Sequence, residues 1–401
     1  MRKAFKFRIF PTKAQRRRLE DTLELCRQLY NAGLEQRKTA YKRCGISLSR
    51  QTQHAELPAL KAESPEWEGV YSQVLQEVLT RLDKAFDAFF RRIKAGEKPG
   101  YPRFKGKGRY DSFTYPQFGF ALKDGRLHVS KIGAIKIRLH REIVGTIKTL
   151  TLRRTSTGKW FACFSVETEP NACEPLPTRV GVDVGLSHFA TLSTGTHIKN
   201  PRFFRTDERS LAKAQRRLSA VPKGTPERAK RRKVVARIHE RIANRRREFA
   251  HQASRKLVCS FGLIVFEALL IRNMLKQHTL AKAIADAAWS QLVRYTTYKA
   301  EGAGGRVVLV DPHHTSQDCS SCGHRVKKSL AERVHQCPQC GLVLDRDVNA
   351  ALNILALGLQ SLGAQSLEAQ QLERWEQSQR ISDDCTDKTR CRLLELFANA
   401  D

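Results

Sequence analysis

The sequence predicts a multidomain α+β protein: a small all-β segment, helices ahead of it, and a separate α/β layer behind. Three observations carry this. Ile132–Leu139 and Ile147–Leu152 alternate apolar with polar residues, and Trp160–Val166 follows a Ser156-Thr157-Gly158 turn, as half-buried antiparallel strands do. Ahead of them, Leu19, Leu23, Cys26 and Tyr30 recur at helical spacing, as do Val74, Leu75, Val78, Leu82, Phe86 and Phe89. Behind them, short apolar runs at Val180–Val184, Leu263–Phe266 and Val307–Val310 are joined by helical patterns, which indicates an α/β layer.

The elements follow in chain order. Phe5, Phe7 and Ile9 alternate with Lys6 and Arg8, a strand ending at Pro11. It is expected to pair back with the later sheet, which makes the intervening helices an insertion. Thr12 reads as a helix N-cap, and a second helix runs from about Val70 to Ile93, stopped by Pro99 and Gly100. The turn-rich stretch 100–120 interleaves Lys105, Lys107 and Arg109 with Tyr101, Phe104, Tyr110, Phe113 and Tyr115. In the second half, helices are expected over about Thr206–Ala220, Glu227–Val258 and Trp289–Ala300, with a last one over Val348–Leu355. Beyond it the chain turns acidic, with five basic and eight acidic residues over 357–401, read as a weak helix followed by disorder.

Charge narrows the function. Among 401 residues, 72 Lys and Arg stand against 40 Asp and Glu, a net charge of +32. Self-repulsion on that scale implies a polyanionic partner. A membrane is disfavoured, because the longest apolar stretch, Leu257–Ile271, is about 15 residues long and contains Glu267. The N-terminal residues carry Lys6 and Arg8 among their apolar positions, unlike a secretory signal. Nucleic acid is the leading partner, and a cytoplasmic location, nucleoid-associated on DNA, is expected.

Of eleven cysteines, four form Cys319-x2-Cys322, a gap of 14 residues, and Cys337-x2-Cys340. Each pair suits a knuckle, and Gly323 and Gly341 follow the second cysteine of each. Four thiolates complete a tetrahedral site, so one structural Zn²⁺ is expected, with no open position for substrate. The remaining cysteines are scattered and read as reduced thiols.

Several acids sit where acids are costly. Asp183 lies in an apolar strand, Glu267 ends another, and Asp345 and Asp347 precede a helix. Each alone has an ordinary reading, an N-cap for Asp347 or an arginine pair for Asp183 and Glu267. Together they suggest a two-Mg²⁺ phosphodiester site. Residues 202–256 hold 19 Lys or Arg, including Arg231 and Arg245; with few acids at helical spacing to balance them, phosphate contact is expected.

These residues carry a resemblance. Arg8-Ile9-Phe10-Pro11-Thr12, Arg27-Gln28-Leu29-Tyr30-Asn31 and Gly100-Tyr101-Pro102-Arg103-Phe104-Lys105 lie in the first half. Gly181-Val182-Asp183-Val184-Gly185, Thr315-Ser316-Gln317 and Asp345-Arg346-Asp347-Val348-Asn349-Ala350-Ala351 lie in the second. Over roughly residues 1–356 the chain resembles the TnpB family, transposon-encoded OrfB-type relatives of the type V CRISPR effectors.

The resemblance implies a RuvC-like (RNase H fold) nuclease core over 178–315 and 344–356, interrupted by a zinc ribbon over 316–343. It also implies a wedge β-barrel over 1–10 and 121–177, a helical recognition domain over 11–120, and a tail over 357–401. Asp183, Glu267 and Asp347 match the catalytic positions that would hold two Mg²⁺, Asp347 better than Asp345. Gln76 falls where a reader of the target-adjacent motif is expected; Lys105, Lys107, Arg109, Arg231 and Arg245 are candidate nucleic-acid contacts. The implied partners are a guide RNA from the transposon end and double-stranded target DNA, and a monomer is favoured. The implied activity is RNA-guided DNA cleavage that leaves a 5′-phosphate and a 3′-hydroxyl. The alternatives are a nuclease-inactive RNA-guided repressor and an accessory transposase-associated binding protein. The first would be expected to lose acids that are present here. A single-strand transposase would need a His-x-His pair, which the sequence lacks.

Overall fold

Residues 2–169, 176–329 and 332–363 are described by a computed structural model. The chain divides into two units, Met1–Glu169 and Pro170–Asp401. Most of the expected tail, from 364 onward, lies outside the described residues.

The first unit opens with β1 (Arg2–Phe10) and the long helix α1 (Lys13–Cys44). Thr12 caps α1 through a capping box with Gln15, and Gly45 ends it in the left-handed conformation. The short helices α2 (Arg50–Ala55) and α3 (Leu57–Glu63) and a 3-10 turn at Pro65–Gly69 lead into α4 (Ser72–Lys94). Six strands follow: β2 (Ser112–Tyr115), β3 (Phe120–Lys123), β4 (Arg126–Val129), β5 (Gly133–Arg138), β6 (Thr146–Arg154) and β7 (Trp160–Glu167).

β1 pairs antiparallel with both β5 and β7, so the first strand does return to the sheet and α1–α4 are inserted after it. The strand order is β2-β6-β7-β1-β5-β4-β3. Its two edges, β2 and β3, are consecutive in sequence, as in a nearly closed barrel. The sheet already begins at Ser112, upstream of the boundary expected at 121. Alternate residues Phe7, Ile9, Phe113, Tyr115, Leu150, Leu152, Trp160, Ala162 and Phe164 are buried, in one core with the apolar stripes of α1 and α4.

The second unit begins with β8 (Arg179–Asp183), β9 (His188–Leu192) and β10 (His197–Lys199). Next come α5 (Phe203–Ser219), α6 (Pro226–Ser260), β11 (Leu263–Glu267), α7 (Ile271–Met274), α8 (His278–Ala287), α9 (Trp289–Gly302) and β12 (Arg306–Val310). The cysteine segment contributes β13 (Val334–Gln336) and β14 (Val343–Asp345), and residues 346–363 are helical (α10).

The main sheet has the order β10-β9-β8-β11-β12. β8, β11 and β12 are parallel, while β9 and β10 join as an antiparallel hairpin extension. Because side chains alternate along a strand, its two faces separate cleanly. Val180, Val182, Ile264 and Phe266 pack under α6, α8 and α9 with Leu257, Ile284, Trp289 and Leu292. Leu263, Val265, Val308 and Val310 pack against Ile354 and Leu355 of α10 on the other face.

Candidate active site and metal centre

Two acids end neighbouring parallel strands. Phe266 is paired with Val182, so Glu267 follows at the tip of β11 beside Asp183 at the tip of β8. The chain leaves β8 toward β9 and β10 on one side and resumes at β11 and β12 on the other. The two acids therefore stand at the C-terminal strand ends, where the order of strands reverses, the usual ligand crevice of an open α/β sheet. Strand alternation also places both on the face that α10 covers, and α10 brings Asp347 in its first turn.

Asp345 is what frees Asp347 for this position. Its Oδ1 accepts from the backbone N–H groups of Asp347 (2.9 Å) and Val348 (3.0 Å), which makes Asp345 the cap of α10. Two glycines set how closely α10 approaches. A Cβ on Gly181 would lie 2.0 Å from the Ala351 carbonyl oxygen, and one on Gly358 would lie 2.5 Å from the Val265 side chain. Backbone thus meets β8 directly, and α10 lies hard against β11.

The cluster is short of positive charge. Burial, then repulsion by Glu267 and Asp347, pushes the Asp183 carboxyl up to about 8, against the opposing pull of Arg346. Burial also raises Glu267, offset by a hydrogen bond from Thr315 Oγ1 to Glu267 Oε1 at 2.5 Å. Hard carboxylate oxygens held together against their own repulsion suit a divalent cation such as Mg²⁺. Among the described residues, the three acids do not converge on one point as the cysteines do. A pair of ions spaced about 3.5–4 Å apart does not require them to.

The cysteines form a compact four-sulfur set. The Sγ atoms of Cys319, Cys322, Cys337 and Cys340 all lie within 4.8 Å of one another, with Cys319–Cys340 and Cys322–Cys337 at 3.6 Å. Sulfurs at about 2.3 Å from a tetrahedral zinc are about 3.8 Å apart, so the set fits that ion. The backbone N–H groups of Cys340 and Gln339 pull the Cys337 thiol down, while the neighbouring sulfurs push Cys322 up, so a cation is needed to hold all four as thiolates. Gly323 and Gly341 both have positive φ (76° and 74°), as knuckles require.

The expected nucleic-acid contacts divide. Gln76 is exposed on α4. Lys105 and Arg109 line a cleft with Tyr30, Arg81 and Tyr110; the Lys105 ammonium lies 5.4 Å from the Tyr30 ring centre and Lys107 is exposed. Two candidates on α6 are engaged within the protein. Arg231 pairs with Glu227 at 2.9 Å and Arg245 with Asp207 at 3.4 Å. Asp207 also pairs with Arg241, while buried Asp286 binds Arg246 and the Phe204 backbone N–H, fastening α5 to α6 and α8.

Sequence reasoning assigned no role to Asn349, Asn353 or the Thr315 hydroxyl. The signal was present: two asparagines one turn apart are poor helix formers on an otherwise alanine- and leucine-rich helix. Such residues are kept for their side-chain hydrogen bonds.

Comparison with known proteins fits this arrangement. Family models match at residues 162–278 ("Probable transposase", OrfB type), 289–354 ("Cas12f1-like, TNB domain") and 1–45 ("Helix-turn-helix domain"). The last segment folds here as β1 and the single helix α1. A Streptomyces pristinaespiralis protein named "Putative RNA-guided DNA endonuclease" is 36% identical over 373 residues, covering 89% of this chain and 90% of its own. Escherichia coli K12 "Putative RNA-guided DNA endonuclease InsQ" is 31% identical, covering 88% and 92%. A cryo-EM structure of a Cas12f1–sgRNA–target DNA complex shares the fold at a TM-score of 0.54 and 14% identity, covering 84% of this chain and 81% of that one. No helix among the described residues is long and apolar enough to cross a membrane. Similarity of this extent, along nearly the whole of both chains, means that the protein belongs to the TnpB (OrfB) family, whose relatives bear the name RNA-guided DNA endonuclease.

Proposed function

We propose that this protein is an RNA-guided, Mg²⁺-dependent DNA endonuclease whose catalytic acids are Asp183, Glu267 and Asp347. The observation that carries the reading is the placement of three carboxylates from three separate elements at one end of the same sheet face. There Glu267 and Asp347 raise the proton affinity of buried Asp183, and among the described residues none of the three forms an ion pair with the abundant arginines. In a RuvC-like core those carboxylates would hold the ions, which when bound supply an activated water and charge stabilisation at the leaving oxygen. The chain's own part is to hold the three acids in place, with Arg346 offsetting part of the repulsion at Asp183.

The remaining assignments follow from that frame. The four cysteines hold one structural Zn²⁺ in a ribbon within the nuclease core. The first unit serves as wedge and helical recognition domain, with Gln76 at the target-adjacent motif. Lys105, Lys107 and Arg109 contact phosphate, as do the basic residues of α6, and Arg231 adds to them because an exposed i,i+4 pair is weak enough to yield. Base pairing by a guide RNA supplies sequence discrimination while the protein grips the backbone. The guide derives from the transposon end, and the protein acts as a monomer.

The test is to purify the protein from cells that carry its element, sequence the co-purifying RNA and offer a matched plasmid with Mg²⁺. Cleavage that Asp183→Ala abolishes, with one zinc per chain, is expected. Protein free of RNA, or cutting that survives Asp183→Ala, refutes the reading.

A further inference from the structure

The four-cysteine segment and the carboxylates are joined by a continuous set of hydrogen bonds. Asn349 and Asn353 sit one turn apart on α10, just after Asp347. Asn349, fully buried, accepts from the Ser320 backbone N–H inside the first knuckle (2.9 Å) and donates to the Asp318 carbonyl (2.8 Å). Asn353 donates to the Asp318 carbonyl (2.7 Å) and to the Thr315 carbonyl (2.8 Å). The segment 315–320 is therefore clamped to α10 at its two ends and in its middle. Thr315, 4% exposed, is the residue whose hydroxyl donates to Glu267. Three residues thus separate the group that orients a strand-tip carboxylate from the knuckle that begins at Cys319.

We propose that Thr315, Asn349 and Asn353 are positioning residues that make the metal affinity of the Glu267 carboxylate depend on zinc at the four cysteines. This rests on the metal-binding reading of the acids given above. With zinc bound, the knuckle fixes Ser320 and Asp318, the two asparagines carry that geometry to the Thr315 backbone, and the threonine hydroxyl holds Glu267 aligned. Without zinc, the four sulfurs now held within 4.8 Å of one another lose the ion that draws them together, the knuckle opens, and the clamp loses the partners on which its three backbone contacts depend. Partners that orient metal-ligating carboxylates are typically worth about 10–100-fold in affinity, enough to switch a site on or off at cellular Mg²⁺.

The experiment uses full-length, RNA-free protein and Mn²⁺ as probe, with free Mn²⁺ read by electron paramagnetic resonance. Zinc is first retained, then removed with a mercurial and dialysed away. In the zinc-loaded protein, a Mn²⁺ site lost in Asp183→Ala is expected. Zinc removal raises its Kd about tenfold or more, Thr315→Val and Asn353→Ala do the same with zinc still at one per chain, and Thr315→Ser stays within about twofold. In Thr315→Val, zinc removal adds less than about twofold, because coupled sites are non-additive. An Asp183-dependent Mn²⁺ site indifferent to zinc, or fully additive effects, overturns this inference alone. Absence of any Asp183-dependent site overturns the metal reading and this inference with it.

Discussion

Gly181→Ala is the smallest change that should stop the reaction without touching an acid. The new methyl would sit 2.0 Å from the Ala351 carbonyl oxygen, 2.8 Å from the Leu355 nitrogen and 2.9 Å from the Leu355 Cβ. A carbon–oxygen contact settles at about 3.3–3.6 Å, so α10 must retreat from β8 by more than about 1 Å. The obstacle is backbone, so no side-chain rotation relieves it. Overpacking of this kind costs about 1–3 kcal/mol, which the fold should survive. Asp347, one turn before Ala351, moves with the helix while Asp183, two residues after Gly181, stays with the strand. A displacement of about 1 Å between catalytic groups costs on the order of 10²-fold in rate.

The assay is guided plasmid cleavage across a Mg²⁺ titration, beside a thermal melt. Gly195→Ala serves as control: nothing lies within 4 Å of its Cβ, but its φ of +81° makes alanine strained by roughly 1–2 kcal/mol. Both variants should melt lower, and Gly181→Ala alone should lose about 100-fold in rate. Wild-type cleavage by Gly181→Ala, with unchanged Mg²⁺ dependence, would refute the claim that the helix–strand spacing sets the site.

Three further outcomes are expected. Asp183 has a folded pKa of about 8 against 3.8, so in metal-free protein its burial costs stability that is absent below about pH 4, grows through the window between, and is complete above pH 8. Asp183→Asn in EDTA should therefore raise the unfolding free energy at pH 9 by on the order of 2–3 kcal/mol, after allowing for its partial exposure, and leave it unchanged at pH 4; a lower stability at pH 9 in denaturant unfolding would contradict this. Asp345→Ala removes the cap of α10 and should cost about 1 kcal/mol in denaturant unfolding, while Asp345→Asn restores it. Asp286→Ala leaves Arg246 and the start of α5 without their buried acceptor and should cost roughly 3 kcal/mol; a loss below about 1 kcal/mol would mean that α5 is held by other contacts.

Elements with a long period were legible in the sequence. α1, α4, α6 and α9 each repeat their apolar stripe over several turns, and the strands of the α/β layer are bounded apolar runs. α2 and α3 were not read, since six or seven residues are too few to display a helical period. The β3–β4 hairpin was missed although Asp124-Gly125 is a strong two-residue turn signal, and both residues have positive φ (49° and 66°). In the site, the four cysteines were legible because metal geometry constrains local spacing. The acid set was legible as residue types out of place. What held it together was not, because Gly181 against Ala351 and Thr315 against Glu267 join positions far apart in sequence with no periodic signature.

The acids also show how a basic protein marks the charges it reserves. With 72 Lys and Arg in the chain, most carboxylates can find a partner, and several do: Asp207, Asp286 and Glu227 hold arginines of α6, and Asp318 holds Arg325. Among the described residues, no ion pair includes Asp183, Glu267 or Asp347. Leaving them unpaired is costly, since both strand-tip acids bear desolvation and Asp183 also bears its neighbours' repulsion. Arg346 offsets part of that cost at Asp183 without forming an ion pair. Asp207 and Asp286 show that a carboxylate's presence on an α/β layer says little by itself. The separation of paired from unpaired acids says more, and it becomes visible once side-chain positions are known.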